Sequence, residues 1–134
     1  HFAVIVWKLL NSYKSKFQEK NIESYYKRLY EDDYEGYILA KENLVKLKKY
    51  CDLKKINFHL INMPDIHQLN PYRLGFINEK IKLLANKNNF RYLDLLNIFD
   101  GVDEKKIWND HKDPHPNGYA HGLMAKDIYD FFIN

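Results

Sequence analysis

Cysteine is almost absent from this chain: Cys51 is the only one in 134 residues. A single thiol excludes an internal disulfide and a cysteine-based zinc site, so redox chemistry does not fix the compartment. On the apolar side of a predicted helix, Cys51 reads as a small core residue. Arginine is nearly as scarce, with only Arg28, Arg73 and Arg91 among 21 basic residues. Phosphate recognition favours the arginine fork, and the net charge is only +3. The lysines Lys46, Lys48, Lys49, Lys54 and Lys55 therefore read as a solvated helix face, and no nucleic-acid partner is expected. Long hydrophobic runs are lacking too. The apolar stretch from Phe2 to Leu10 is far shorter than the roughly 20 residues of a membrane span. It has neither a basic lead-in nor a small-residue cleavage site, so it is not a complete signal peptide and no membrane span is expected in this segment. The chain opens on His1 rather than methionine and reads as a portion of a longer one.

What is present suits a folded domain. Apolar residues make up 46% of the chain, enough for a real core, and the aromatics are mostly tyrosine. Phe2, Ile5, Val6, Leu9, Leu10, Tyr13 and Phe17 predict a helix over residues 2–19, and residues 21–33 a connector with a short helix. Tyr37, Ala40, Leu44, Leu47 and Cys51 step by threes and fours and predict the clearest helix, over 34–53. The run from Ile56 to Met63 reads as a strand covered on both faces, ended by Pro64. A loop over 65–71 carries Asp65, His67 and Pro71. A helix over roughly 72–88 follows, with Leu74, Ile77, Ile81, Leu84 and Ala85 inward. Asn86 to Asn89 stop it, and Phe90 to Leu95 form a second strand. A short helix or turn reaches Gly101 and a loop spans 101–117. A last helix over 118–132 turns Met124, Ala125, Ile128, Phe131 and Phe132 inward. Strand, helix, strand implies a parallel pair with a right-handed crossover, hence the α/β class. Two strands make a poor sheet alone, so the sheet is expected to continue in upstream chain or in a second chain.

Chemistry concentrates in Trp108-Asn109-Asp110-His111-Lys112-Asp113-Pro114-His115-Pro116-Asn117. The loops at the open ends of parallel strands are where α/β domains place their sites. Pro114 and Pro116 fix the backbone on both sides of His115. An imidazole so held can take and return a proton near neutral pH, and a carboxylate on its Nδ1 fixes its tautomer. Asp113, two residues before His115, is the candidate carboxylate, and Asn117 the candidate cap of the last helix. The competing reading is a polar turn before a helix, since Asp-Pro and His-Pro are common turn formers.

Asp113-Pro114-His115-Pro116-Asn117, followed by His121, resembles the last conserved block of SGNH (GDSL-type) ester hydrolases. That block supplies the acid and the general base and is commonly followed by Pro-Asn, then Gly-His. Here Ala120 stands in the Gly position. The connector from Tyr25 to Tyr37 is similar to one found in a bacterial branch of the family. The strands ending at Met63-Pro64 and carrying Tyr92-Leu93-Asp94-Leu95 fall where the family has its last two strands. The resemblance implies a three-layer α/β/α, flavodoxin-like domain. Residues 1–134 would be its C-terminal portion, with about two parallel strands and four helices. It implies a serine ester hydrolase or related acyltransferase acting on a small-molecule or carbohydrate ester, with no metal or organic cofactor. His115 would be the catalytic base and Asp113 its orienting acid.

The chain departs from the pattern in three ways. Its serines, Ser12, Ser15 and Ser24, follow no Gly-Asp, and no Gly-x-Asn-Asp block supplies oxyanion donors. The nucleophile and the oxyanion hole are therefore expected from upstream chain. The family's longer spacing would place the acid at Lys112, so Asp113 rests on the shorter Asp-x-His variant, with Asp110 the weaker candidate.

Other readings compete. His111, Asp113, His115 and His121 could form a metal cluster, joined by Asp65 and His67. A degenerate, non-catalytic binding or structural module of the same fold is the alternative function. His59 reads as a satisfied strand histidine, His67 as a cleft-lining candidate, Trp108 as a sugar platform or a rim residue, and the tyrosines from Tyr25 to Tyr37 as packing.

Overall fold

Helical spacing begins the described part of the chain. A computed structural model describes residues 22–133, so the helix expected over 2–19 lies outside the described residues. Two compact units divide the chain, His1–Ala40 and Lys41–Asn134. In the first, residues 22–29 are helical (α1) and end in a turn that Arg28 ties together through Glu31 and Asp33. Tyr25 meets Tyr26 edge-on, and the rings of Tyr30 and Tyr37 lie 5.2 Å apart, so these tyrosines pack.

The helix expected over 34–53 is α2, Glu35–Leu53. None of its residues is buried, and Cys51 is only partly covered. Lys48 pairs with Asp52 at 2.5 Å and Lys46 with Glu42 at 3.8 Å, which makes the lysine cluster a solvated face among the described residues.

α2 ends in a Schellman turn. Lys55 takes the left-handed backbone (φ 56°), Ile56 N–H reaches the Cys51 carbonyl at 2.8 Å, and Lys55 N–H reaches that of Asp52. Residues 54–58 are spent on this cap and its exit, so β1 is His59–Asn62 rather than the longer strand expected from Ile56 to Met63. The crossover helix between the two strands, α3 (Gly75–Lys87), ends the same way. Asn89 is left-handed (φ 53°) and Phe90 N–H bonds Ala85 O at 2.9 Å. β2, Arg91–Asp94, then pairs parallel with β1, with His59 opposite Arg91 and Asn62 opposite Asp94. Phe58 and Phe90, the residues before each strand, meet edge-to-face at 5.1 Å. The expected parallel pair is present, and the molecule is a small α/β protein with a short parallel sheet.

Two expectations for β1 fail. Its four residues are all only partly buried, so among the described residues it is not covered on both faces. His59 was expected to be satisfied, yet its Nδ1 is buried with no hydrogen-bond partner among the described residues. The ring packs against Phe131 and Phe132, whose phenyl groups offer no acceptor.

After β2, Leu95–Phe99 form a 3-10 turn whose first N–H groups are capped by Asp94, which accepts from Leu96 N at 3.0 Å. Gly101 (φ 72°) supplies the left-handed step out of that turn. The expected loop over 101–117 is instead built structure. A one-turn helix, α4 (Glu104–Ile107), leads into a two-stranded antiparallel ribbon of β3 (Trp108–Asp110) and β4 (Asp113–Pro116). Both prolines lie in β4, tolerated because every residue of a two-stranded ribbon is at an edge. α5, Gly118–Ile133, closes the chain. Its Ala120 and Met124 point inward, whereas Ala125 is exposed and Phe132 half exposed, against expectation.

The core lies at the C-terminal end of the parallel strands. Ile66 and Leu69 from the loop after β1 join Leu95, Phe99, Ile107, Ala120 and Met124. Leu95 and Ile107 are almost completely buried, and leaving water stabilises the fold by about 2 kcal/mol for each. The ribbon is thus carried directly on the core.

Candidate active site

The site is assembled on Asn117. Its side-chain oxygen accepts from Tyr119 N and Ala120 N at 3.0 Å, capping α5 as expected. Its Nδ2 donates to the Lys106 and Trp108 carbonyls, each at 2.9 Å, and its backbone N–H to Ile107 O. One residue therefore fastens the start of α5 to α4 and to the first residue of β3. Trp108 pairs with Pro116 across the ribbon, next to His115.

On this frame Asp113 and His115 meet. Asp113 Oδ1 accepts from the His115 ring at Nδ1 and from its backbone N at 3.4 Å, while Oδ2 accepts from Asn109 Nδ2 at 2.9 Å across the ribbon. The hydrogen bond from His115, then that from Asn109, hold the Asp113 carboxyl below the ordinary carboxylate range. The imidazole is 82% exposed, so the contact adds little to stability; its effect is to orient the ring. With a carboxylate at Nδ1, the proton belongs on that nitrogen and Nε2 carries the lone pair.

The other candidates separate. Asp110 binds the Lys112 backbone N at 2.7 Å and the His111 ring at 3.0 Å, and takes no part in the Asp113–His115 pair. Lys112 is exposed at the ribbon turn. His121 lies exposed on α5. The metal-cluster reading is corrected: among the described residues no three His, Cys, Asp or Glu side chains are placed to hold a metal. The histidines of the ribbon are each drawn to a neighbouring aspartate instead. Ser24 lies in α1, and Ser12 and Ser15 fall outside the described residues.

Asn109 was given no part from the sequence, and Asp65, His67 and Trp108 were given other parts, as possible metal ligands, a cleft-lining residue and a sugar platform or rim residue. Asn109 is the second partner of Asp113, a signal hidden in a cross-ribbon spacing of four. Asp65 and His67 form a second pair of the same pattern, legible only as a repeat of Asp-x-His. Trp108 connects the two, its Nε1 donating to the Ile66 carbonyl at 2.8 Å. A further polar group, Asn78, is 5% exposed and donates to both oxygens of Asp94 at 2.9 Å. Tyr92 also donates to Asp94 at 3.0 Å, and burial, then the Asp94 charge, push its phenol up. This network fixes the end of β2. Its sequence signal was a lone asparagine on the apolar face of α3.

No family model, curated protein or solved structure matches the chain. No helix among the described residues is long and apolar enough to cross a membrane.

Proposed function

We propose that this chain supplies the acid–base half of a serine ester hydrolase, or a related acyltransferase, of the SGNH type. The observation that carries the reading is the Asp113–His115 contact, with Asp113 held from the other side by Asn109. In this role His115 Nε2 takes the proton of a serine hydroxyl as the oxygen attacks the ester carbonyl. It returns that proton to the departing alkoxide, and water or a second alcohol then takes the acyl group by the reverse route. Asp113 stabilises the imidazolium that forms between the two transfers. The parallel pair and its crossover helix support a three-layer sheet domain, and a two-stranded sheet calls for further strands.

The reading places the serine and the oxyanion donors outside these 134 residues, because no Gly-Asp-Ser or Gly-x-Asn-Asp segment occurs here. The same observation favours the second reading, a non-catalytic module of this fold. Intact mass before and after a serine-reactive fluorophosphonate separates them. A mass above 16.2 kDa with one adduct is expected for the enzyme. A mass of 16.2 kDa without an adduct overturns it for this chain.

A further inference from the structure

The loop after β1 repeats the geometry of the site just described. Asp65 Oδ1 accepts from His67 backbone N at 2.9 Å and from the ring Nδ1 at 2.5 Å. Between them Ile66 is 4% exposed and locked into the core, while the His67 side chain is 64% exposed. The backbone is anchored and the imidazole is presented outward in one orientation. Such a contact on an exposed histidine contributes little to folding stability, so stability gives no reason for it. What the arrangement does is fix the tautomer: a carboxylate at Nδ1 leaves the Nε2 lone pair outermost, a hydrogen-bond acceptor.

The two pairs are joined by a short path. Ile66 O accepts from Trp108 Nε1 at 2.8 Å, and Trp108 pairs with Pro116, the neighbour of His115. The loop after β1 and the ribbon that carries His115 are thus linked through the half-buried Trp108.

We propose that Asp65–His67 is a substrate-positioning pair that accepts a hydrogen bond from a hydroxyl on the alcohol part of the ester. The proposal rests on the ester-hydrolase reading and narrows it. An outward acceptor nitrogen needs a donor on the ligand. The acyl chain of a simple ester carries none, whereas a partly acylated carbohydrate or polyol carries several. The pair therefore selects esters of hydroxyl-rich alcohols. It acts through binding and leaves proton transfer to His115. Fixing the ring before the ligand arrives lowers the ordering cost of that contact.

The test compares two substrates in the full-length protein: 4-nitrophenyl acetate, whose leaving group has no hydroxyl donor, and a mono-O-acetylated pentose. In His67→Phe, kcat/KM for the sugar ester is expected to fall about 10- to 100-fold, mainly in KM, while nitrophenyl acetate stays within about twofold. His67→Gln keeps an acceptor oxygen and restores part of the loss. An unchanged KM for the sugar ester in His67→Phe overturns the proposal. So does an equal fall on both substrates, or a wild type that turns over only the nitrophenyl ester. If the wild type turns over neither, the hydrolase reading has failed, and imidazole nitrogen NMR reads His67 directly. The pair then predicts the Nδ1–H tautomer and a shift of Nε2 on titration with the free pentose. A mixed tautomer, or no shift at saturating sugar, overturns it.

Discussion

The chain holds two Asp-x-His turns that share one local geometry and differ in what surrounds the acid. In the loop after β1, Asp65 serves His67 alone among the hydrogen bonds of the described residues, and the loop is held by a buried isoleucine between them. In the ribbon, Asp113 serves His115 but is also gripped by Asn109, and the backbone is stiffened by Pro114 and Pro116. A carboxylate with a second partner is braced for a charge that appears and disappears on its histidine. One with a single partner is suited to holding a ring still. On the proposed reading the same three-residue pattern serves two tasks, and the neighbours decide which.

The comparison breaks first on rate. In the active protein, His115→Ala is expected to lower kcat on 4-nitrophenyl acetate by about a thousandfold or more, Asp113→Asn by less, and His67→Ala by no more than about twofold. Comparable losses in His115→Ala and His67→Ala would erase the distinction, and full activity in His115→Ala would remove the assignment. Stability sharpens it next. Asn117→Ala uncaps α5 and orphans two carbonyls, so urea denaturation should show a loss of about 2–3 kcal/mol. Trp108→Phe cuts the hydrogen bond that links the ribbon to the loop after β1 and leaves the Ile66 carbonyl without that donor. The expected loss is about 1–2 kcal/mol, with a raised KM for the sugar ester.

The smallest effect is on titration. The Asp113 carboxyl is held low by His115 and then Asn109, so its pair persists as pH falls through the ordinary carboxylate range. A depressed folded-state value means the contribution is complete above the unfolded value and is lost as pH falls through the folded one. Asn109→Ala removes one cause and moves that loss upward in pH. Carboxyl carbon NMR of Asp113 follows it, and an unmoved titration would deny Asn109 its bracing part.

Legibility in the sequence followed period rather than covering. Steps of three and four located α2 to within a residue, yet none of its residues is buried. Spacing reports that a helix has an apolar side, not what lies on it. The crossover helix was legible for the same reason and the strands from their apolar runs, whose starts moved because left-handed caps at Lys55 and Asn89 consumed residues that looked like strand. The ribbon was hidden. Strands of three and four residues are too short to show alternation, and two prolines read as loop. The Asp113–His115 pair was legible as chemistry, but Asn109 became a partner only once the ribbon folded back on itself. Asn78 shows a related limit: a single polar residue on an apolar face gives no hint of the carboxylate it meets 16 positions later.

Asn117 has a consequence for how the molecule opens. Because one side chain closes both the start of α5 and the carbonyls of Lys106 and Trp108, neither can loosen alone. The first turn of the helix and the base of the ribbon form one cooperative unit. The Tyr119 and Ala120 amides should then exchange with deuterium at a common rate, set by release of the whole ribbon rather than by fraying of the helix end. Those two amides become a clock for how often the ribbon that carries His115 comes loose.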